Sequence, residues 1–523
     1  MTAQPKPLRI KRLTLTDFRA FPGPAPAHFD LDGKNLLVYG ENGSGKSSLF
    51  HALREFFSLK PVKPLAHYRN VFSAQPEEVC KVGIEYVGDA AVVEWSADKH
   101  PCEYDDLSKP VTGWYDYFFR GSDSRTRSVA MRCACLDYRA LLDTNYLHGD
   151  GDINLFDIAL KRLLADYPIT VAGGQQKSLS QLWASVEDAS LAKPTAPQAA
   201  ATPSAEFQGV LAACAEFNTG FRQALDALHP HVSVLLGELI GADVVVAPFS
   251  FAGLTYSAGR LKRDREVVGR ELKLDVSFRN HSPSRPQDFL NEARLSALAL
   301  AIYLAGRLAC TPTATKDALK LLVLDDVLIG LDHSNRLPVL DVLHTHFADW
   351  QVVLLTHDKT WFDLARERLP KHDWGCCEIY EGDPAATAPM PIVRPTMNKP
   401  ARALLQKADD LLKLGYVEAA ANYARQAFEL GLRIACELKK IKLNYLQDPT
   451  EHKAQILLDA LKSWPGSANA PKADWDAAIH RLELLKNVVM NPYSHPSSPN
   501  IPKQEVAEAI VAVTVFLDLV AKK

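Results

Sequence analysis

The octapeptide GENGSGKS, Gly40 to Ser47, satisfies the pattern G-x-x-x-x-G-K-[ST] in full. In such a loop Gly40, Gly43 and Gly45 let the backbone curl, so that successive N–H groups and the N-terminus of the next helix point at phosphate oxygens. Lys46 would reach the terminal phosphates of a nucleotide and the Ser47 hydroxyl would ligate magnesium. Asn42, Ser44 and Ser48 complete the residues expected around the phosphates. Further along, LKLLVLDDVLIGLD ends an apolar run in Asp325 and Asp326. The first carboxylate would hold magnesium through its water shell, and the second would orient or deprotonate an attacking water. A second apolar run, VVLLTHD, delivers His357, which can hydrogen-bond a γ-phosphate or that water. Together these residues point to metal-assisted attack of water on a terminal phosphate.

Elements of the right kind stand on both sides of each motif. NLLVY reads as the strand before the glycine-rich loop and SSLFHALREFF as the helix after it. Four or more apolar residues ending in a carboxylate describe a central parallel strand whose C-terminal edge faces the phosphates. Residues 8 to 57 read as two strands, a turn and a helix, followed by β-like stretches such as KVGIEYVGDAAVVEWSA. From about 134 to 240 the pattern is helical, broken by AKPTAPQAAATPSA, which reads as a disordered loop. In ELKLDVSF, Leu272, Leu274, Val276 and Phe278 alternate with polar residues, as in a half-buried strand. The boundaries that follow are 1–133 and 246–382 for two halves of a nucleotide-binding unit, 134–245 for an inserted helical lobe, 383–400 for a Pro-rich linker, and 401–523 for an all-helical domain.

The order of phosphate loop, Asp-Asp strand, GLDHSNR and THD resembles the ATPase head of the ABC class in its RecF/SMC-like branch. The opening LRIKRLTLTDFRAF is similar to the first strands of that branch. The resemblance covers about residues 8 to 380. It implies an α/β fold: an ABC-type P-loop head, a mixed sheet with helices and an inserted helical lobe, followed by the small all-α domain. It also implies ATP and magnesium as ligands, and Arg19 near the nucleotide. Asp332 would lie in a loop that crosses to a partner subunit. In this branch ATP is sandwiched between two heads, the P-loop of one facing the signature helix of the other. DFLNEARLSALALAIYLA, residues 288–305, stands where that signature belongs. Asn291 replaces the family's serine, and asparagine is also a good helix N-cap with an amide to offer a phosphate. Ala293 replaces glycine, adding a methyl where phosphate must come close. Asp326 sits where many relatives carry the longer glutamate, which points to slow hydrolysis. The glutamine loop has no counterpart: CLDYRALLDTNY occupies its place without a glutamine.

Only about 240 residues separate Lys46 from Asn291, with no sustained heptads, so the insertion forms a short lobe and no long coiled coil. The basic cluster GRLKRDREVVGREL, with acids interleaved, reads as a solvated hairpin. The C-terminal domain resembles small HEPN-type helical domains. A HEPN ribonuclease places arginine five to seven positions before its histidine, whereas Val488, Val489 and Met490 precede His495. An inactive docking or assembly module is therefore expected.

The remaining bounds are set by composition. A chain of 523 residues accommodates two or three domains, and 47% hydrophobic with 23% charged residues is the balance of a globular protein. A net charge of -3 gives no general attraction to nucleic acid or anionic membrane, so such contact would need a local patch. Nine scattered cysteines without a C-x-x-C pair argue for reduced thiols and against a zinc-hook apex. The absence of a leader-like apolar core, or of a run of roughly 20 apolar residues, leads to a cytoplasmic expectation without membrane contact. The expected partners are a second copy, as a homodimer or higher even-numbered assembly, and a separately encoded effector such as a nuclease. Compact heads with an appended helical domain resemble the sensor ATPases of bacterial anti-phage systems. The alternatives are a DNA-repair or DNA-tethering ATPase acting directly on DNA, and an ATPase-gated HEPN-type RNase toxin.

Overall fold

The computed structural model describes residues 8–58, 63–89, 91–102, 126, 134–145, 153–196, 203–283, 285–310, 319–395, 400–443, 453–486 and 502–522. The chain forms two compact units, residues 1–395 and 396–523.

The first unit opens with β1 (Ile10–Thr16), β2 (Ala27–Asp30) and β3 (Asn35–Gly40), followed by α1 (Lys46–Phe56), β4 (Lys81–Tyr86), β5 (Val92–Trp95) and β6 (Ala134–Asp137). After α2 (Tyr138–Asn145) come a helical turn Phe156–Ile158 that continues as one π-helical turn, Ala159–Leu163, then β7 (Pro168–Thr170), β8 (Gln176–Ser178), α3 (Leu179–Ser190) and α4 (Ala205–Ile240). Strands β9 (Val244–Val246), β10 (Thr255–Ala258), β11 (Arg265–Val268) and β12 (Val276–Phe278) lead into α5 (Glu292–Cys310). The unit closes with β13 (Leu321–Asp325), α6 (His333–His346), β14 (Gln351–Thr356), α7 (Lys359–Arg368), β15 (Trp374–Tyr380) and β16 (Ile392–Pro395).

Its centre is a six-stranded sheet in the order β16-β15-β3-β14-β13-β6, parallel except for β16. The nearly unbroken apolar runs of β3, β13 and β14 fit strands covered on both faces. Their side chains alternate between two cores. Leu37, Leu322, Leu324, Val352 and Leu354 face α5, α6, α7 and the helical lobe. Leu36, Val38, Leu321, Val323, Val353 and Leu355 face α1 and an antiparallel sheet of order β2-β1-β4-β5. Buried Gln351 joins the two sheets: its amide oxygen accepts from Ile10 N–H at 2.7 Å, and its amide nitrogen donates to Ile10 O and Lys34 O at 3.0 and 2.8 Å.

The lobe is built on α4, whose N-cap Ser204 accepts from Phe207 N–H at 3.2 Å and whose end is set by Gly241 at φ +76. Phe156, Trp183, Phe217, Phe221 and Phe251 pack around it, with ring centroids 4.8 to 6.2 Å apart. Helix α5 is long and apolar enough to cross a membrane, yet its most apolar window is 67% buried against α4 and its neighbours. The basic stretch forms the β10–β11 hairpin, with Arg263 81% exposed at its tip.

Several stretches differ from the sequence reading. Residues 134–137 are not helical but form β6, an edge of the central sheet. The stretch expected as a linker contains β16, paired antiparallel with β15. Three strands, not two, precede α1, because Ala27–Asp30 pairs with β1. The alternation of Leu272 and Leu274 is borne out as burial, although only Val276–Phe278 is a strand. Residues 197–202 of the expected disordered loop lie outside the described residues.

The second unit comprises α8 (Pro400–Lys413), α9 (Val417–Leu438), α10 (Ala454–Lys462), α11 (Lys472–Leu485) and α12 (Lys503–Ala521). Ala420, Ala424, Ala427, Gly431 and Ala435 form a small-residue stripe on α9 that lets its neighbours approach closely. A Cβ at Gly431 would stand 2.9 Å from Leu517 Cδ2. Trp475 is fully buried and donates its indole N–H to Leu461 O at 3.0 Å. Val488, Val489, Met490, Asn491, Pro492 and His495 lie outside the described residues.

Candidate functional site

The glycine-rich loop joins β3 to α1 at the C-terminal edge of the parallel sheet, where backbone N–H groups have no strand partner. Gly43 and Gly45 adopt φ of +87 and +106, the left-handed region that a Cβ disfavours. Gly40 is required for space: a Cβ there would lie 2.3 Å from Ser44 Oγ and 3.1 Å from Ile379 O. Gly40→Ala is therefore expected to cost about 1–3 kcal/mol of stability through overpacking. Thermal unfolding would show a lower Tm than that of the unaltered chain.

Lys46, the first residue of α1, is 5% exposed and folds back so that Nζ donates to Gly40 O at 2.5 Å and Glu41 O at 3.1 Å. Burial lowers its pKa, while Asp326 and Asp325 oppose that shift and favour the charged form. Asp325, at the end of β13, is 7% exposed, and its Oδ1 is buried without a hydrogen-bond partner. Burial, helped by Asp326 and Asp137, pushes its carboxyl up to about 6; Lys46 and a hydrogen bond with Ser47 work the other way. Ser44 Oγ is likewise buried and unpartnered.

Asp326 leaves the strand with φ +53, unusual for a residue with a side chain. Its N–H donates to Leu355 O at 3.1 Å, and its Oδ1 accepts from His357 N–H at 2.9 Å. The His357 ring stands against the same oxygen, Nδ1 to Oδ1 2.9 Å. The turn between β14 and α7 is braced by Asp358, which caps Trp361 N–H at 2.9 Å and pairs with Arg336 of α6 at 2.5 Å.

A cavity of about 590 Å³, within the size range of small-ligand sites, opens beside the loop. Arg19, Asn42, Gly43, Gly45, Lys46, Ser47, Ser48 and Asp326 line it. Gly40, Ser44, Asp325 and His357 are not on its wall. Arg19 is held at φ +50 by its N–H to Tyr68 O (2.6 Å) and by Asn70 Nδ2 donating to its carbonyl (2.5 Å). Its Nε is buried without a partner and burial lowers its pKa.

Asn291 and Asp332 do not line this cavity. Asn291 caps α5, its Oδ1 accepting from Arg294 N–H at 3.0 Å, and its side chain is exposed. Exposed Asp332 precedes α6. The turn before Asp332 approaches the first turns of α5, since a Cβ on Gly330 would stand 2.1 Å from Ser296 Oγ. Ala293 departs from expectation: at 5% exposure its methyl packs into the fold, because it shares the inward face of α5 with Ala297, Leu300 and Leu304.

The junction of β6 and α2 was left unassigned by sequence. Asp137 is the register partner of Asp325 across β6 and β13, and its Oδ1 accepts from Ala140 N–H at 2.9 Å. Tyr138 and Arg139 follow it onto the wall of the nucleotide-sized cavity. An aspartate followed by helix-forming residues was the available signal, an N-cap at a strand end.

No protein-family model matches the chain, and no curated protein matches it. Among solved structures, the chain is similar to an SMC head bound to the C-terminal winged-helix domain of ScpA, at 12% identity, TM-score 0.37, covering 74% of this chain and 98% of that one. It is similar to the ATP form of the recombination mediator RecF, at 14% identity, TM-score 0.38, covering 76% and 100%. It is also similar to the SMC head domain from Thermotoga maritima, at 13% identity, TM-score 0.32, covering 74% and 99%.

Proposed function

We propose that the chain is an ABC-type ATPase of the RecF/SMC-like branch, which binds ATP with magnesium, hydrolyses it, and uses ATP-dependent assembly to control a separate effector in anti-phage defence. One juxtaposition carries the reading. Lys46, Ser47, Asp325 and the Asp326–His357 pair converge on one edge of a parallel sheet beside a nucleotide-sized cavity.

The residues fit a magnesium ion, since Asp325 Oδ1 is a buried oxygen without a partner and Ser47 stands beside that carboxylate. Among the described residues no cluster of three or more His, Cys, Asp or Glu could hold a metal, so phosphate oxygens and water would complete its shell. When bound, magnesium neutralises charge on the phosphates. In the hydrolytic step a water oxygen bonds to the γ-phosphorus as the bond to the bridging oxygen breaks, and ADP departs with that electron pair. Asp326 takes up the proton of the attacking water, held in place by His357. Lys46 exchanges its loop carbonyls for phosphate oxygens, and the loop N–H groups take the rest of the charge.

In the assembled form the exposed Asn291 would meet the γ-phosphate bound by a second copy, and Asp332 would lie in the loop that crosses to that copy. Asn291→Ala is expected to cost about 1 kcal/mol of stability through the lost cap, and to abolish ATP-dependent dimerisation. Asn291→Ser keeps a capping oxygen and a donor, and should restore both. Sedimentation with and without ATP in an Asp326→Asn background reads the outcome. ATP-dependent dimers of Asn291→Ala equal to those of the parent would overturn the sandwich.

A further inference from the structure

The glycine-rich loop, Asp325 and His357 leave the sheet at the C-terminal ends of β3, β13 and β14. Strand β6 ends at the same edge: it runs parallel to β13, with Asp137 the register partner of Asp325. Asp137 Oδ1 accepts from Ala140 N–H at 2.9 Å, a cap that starts α2 at once. That turn carries Tyr138 and Arg139 onto the wall of the nucleotide-sized cavity, together with Lys46, Ser47 and Asp326. Arg139 is exposed. Its Nε donates to Tyr138 Oη at 3.3 Å, and its guanidinium lies 5.8 Å from the centre of that ring. A phenol supplies no counter-charge. Asp137, already committed to Ala140 N–H, is the one carboxylate among the described residues whose field reaches Arg139, and the two form no ion pair. The rest of the wall is short of positive charge. Arg69 is taken by Asp17 at 3.1 Å, which leaves Lys46 and Arg19 against Glu41, Asp326 and the nearby Asp325.

The geometry points to Arg139 as a phosphate-binding arginine of this site, which leaves the Tyr138 ring when a nucleoside triphosphate enters and closes on its terminal phosphate. The assignment rests on the ATPase reading and deepens it. A magnesium-bound triphosphate is still an anion, and Lys46 with Arg19 does not outnumber the carboxylates around it. The place of β6 decides which phosphate Arg139 meets. Arg19 enters over α1, where the neighbouring Ala20 donates its N–H to Ser48 Oγ at 3.2 Å. Arg139 departs instead from the strand beside Asp325, which a hydrogen bond ties to Ser47. The two arginines therefore flank the cavity, Arg19 on the side of the helix and Arg139 on the side of the carboxylates, where the terminal phosphate belongs. The planar guanidinium can give two parallel N–H groups to phosphate oxygens. Its present contacts are weak ones, a long hydrogen bond and an exposed cation–π contact, so they are readily exchanged.

Calorimetric titration of ATP and of ADP into full-length Asp326→Asn, in which hydrolysis is arrested, reads the assignment without turnover. Arg139→Ala and Arg139→Lys are added to that background. Both alter an exposed side chain, so the Tm without nucleotide should not move. ATP affinity that falls about tenfold in Arg139→Ala, with ADP affinity unchanged, supports a contact to the γ-phosphate. Arg139→Lys should recover part of the loss, since it keeps the charge and gives up the fork. ATP and ADP affinities both unchanged in Arg139→Ala, or both lowered equally, overturn the assignment. The parent separates this failure from that of the ATPase reading. Where Asp326→Asn binds ATP and adding Lys46→Ala abolishes that binding, the reading stands and Arg139 alone is removed from the site. A parent that binds neither nucleotide overturns both.

Discussion

Asp326→Asn is expected to lower ATP turnover by about 100- to 10,000-fold, the range attributed to loss of a positioned base, while ATP affinity stays close to that of the unaltered chain. Asparagine is the informative exchange because of the backbone. Residue 326 sits at φ +53, where asparagine is tolerated better than most residues, and it accepts a hydrogen bond from His357 N–H that an amide oxygen can still accept. The turn should therefore survive and only the basicity disappear. His357→Ala removes the ring beside Asp326 Oδ1 and should cost less than the loss of the base itself. The double variant should be no slower than Asp326→Asn, since groups that act as a unit are not additive. Single-turnover phosphate release measures all three. A double variant slowed by the product of the two single effects would mean that Asp326 and His357 serve separate steps.

Lys46→Ala should remove both binding and turnover, with kcat/KM falling by about a thousandfold, on the order of 4 kcal/mol. The ammonium is enclosed at 5% exposure, where burial works against its charge and the neighbouring carboxylates uphold it. Without it those carboxylates would face a polyphosphate chain unscreened, and that repulsion is the reason to expect loss of affinity as well as rate. Lys46→Arg should not rescue. A Cβ at Gly40 would already stand 2.9 Å from Lys46 Cγ, so the wider planar guanidinium has no room to lie along the loop. Fluorescent-nucleotide titration together with steady-state turnover separates the two losses; tight nucleotide binding by Lys46→Ala would remove the lysine from its assigned place.

Lys46, Asp325, Asp326 and His357 were legible because each closes a contiguous motif at the end of an apolar run, and parallel strands send such ends to one edge. Asn291 was legible as a cap for the same local reason. Strand β6 was not, because four residues, Ala134 to Asp137, are too few for periodicity to distinguish strand from helix. Strand β16 was masked by its prolines, which an edge strand accommodates where an inner one would not. Ala293 misled because family position suggested an outward methyl, although its four-residue spacing from Ala297 places it on the buried face.

The interleaved order of the central sheet also sets when the site can exist. Strand β3 emerges early, but its neighbours β14 and β15 belong to the far end of the unit. The Asn35 side chain accepts from Val352 N–H across 317 residues, which at 5–20 residues per second is roughly 15 to 60 s of synthesis. Through that interval the phosphate loop lacks the strands beside it, and the apolar edges of β3 await chain that has not yet been made. A nascent chain stalled before residue 351 should therefore neither retain nucleotide nor resist proteolysis, and chaperones would meet this protein chiefly as an unfinished sheet.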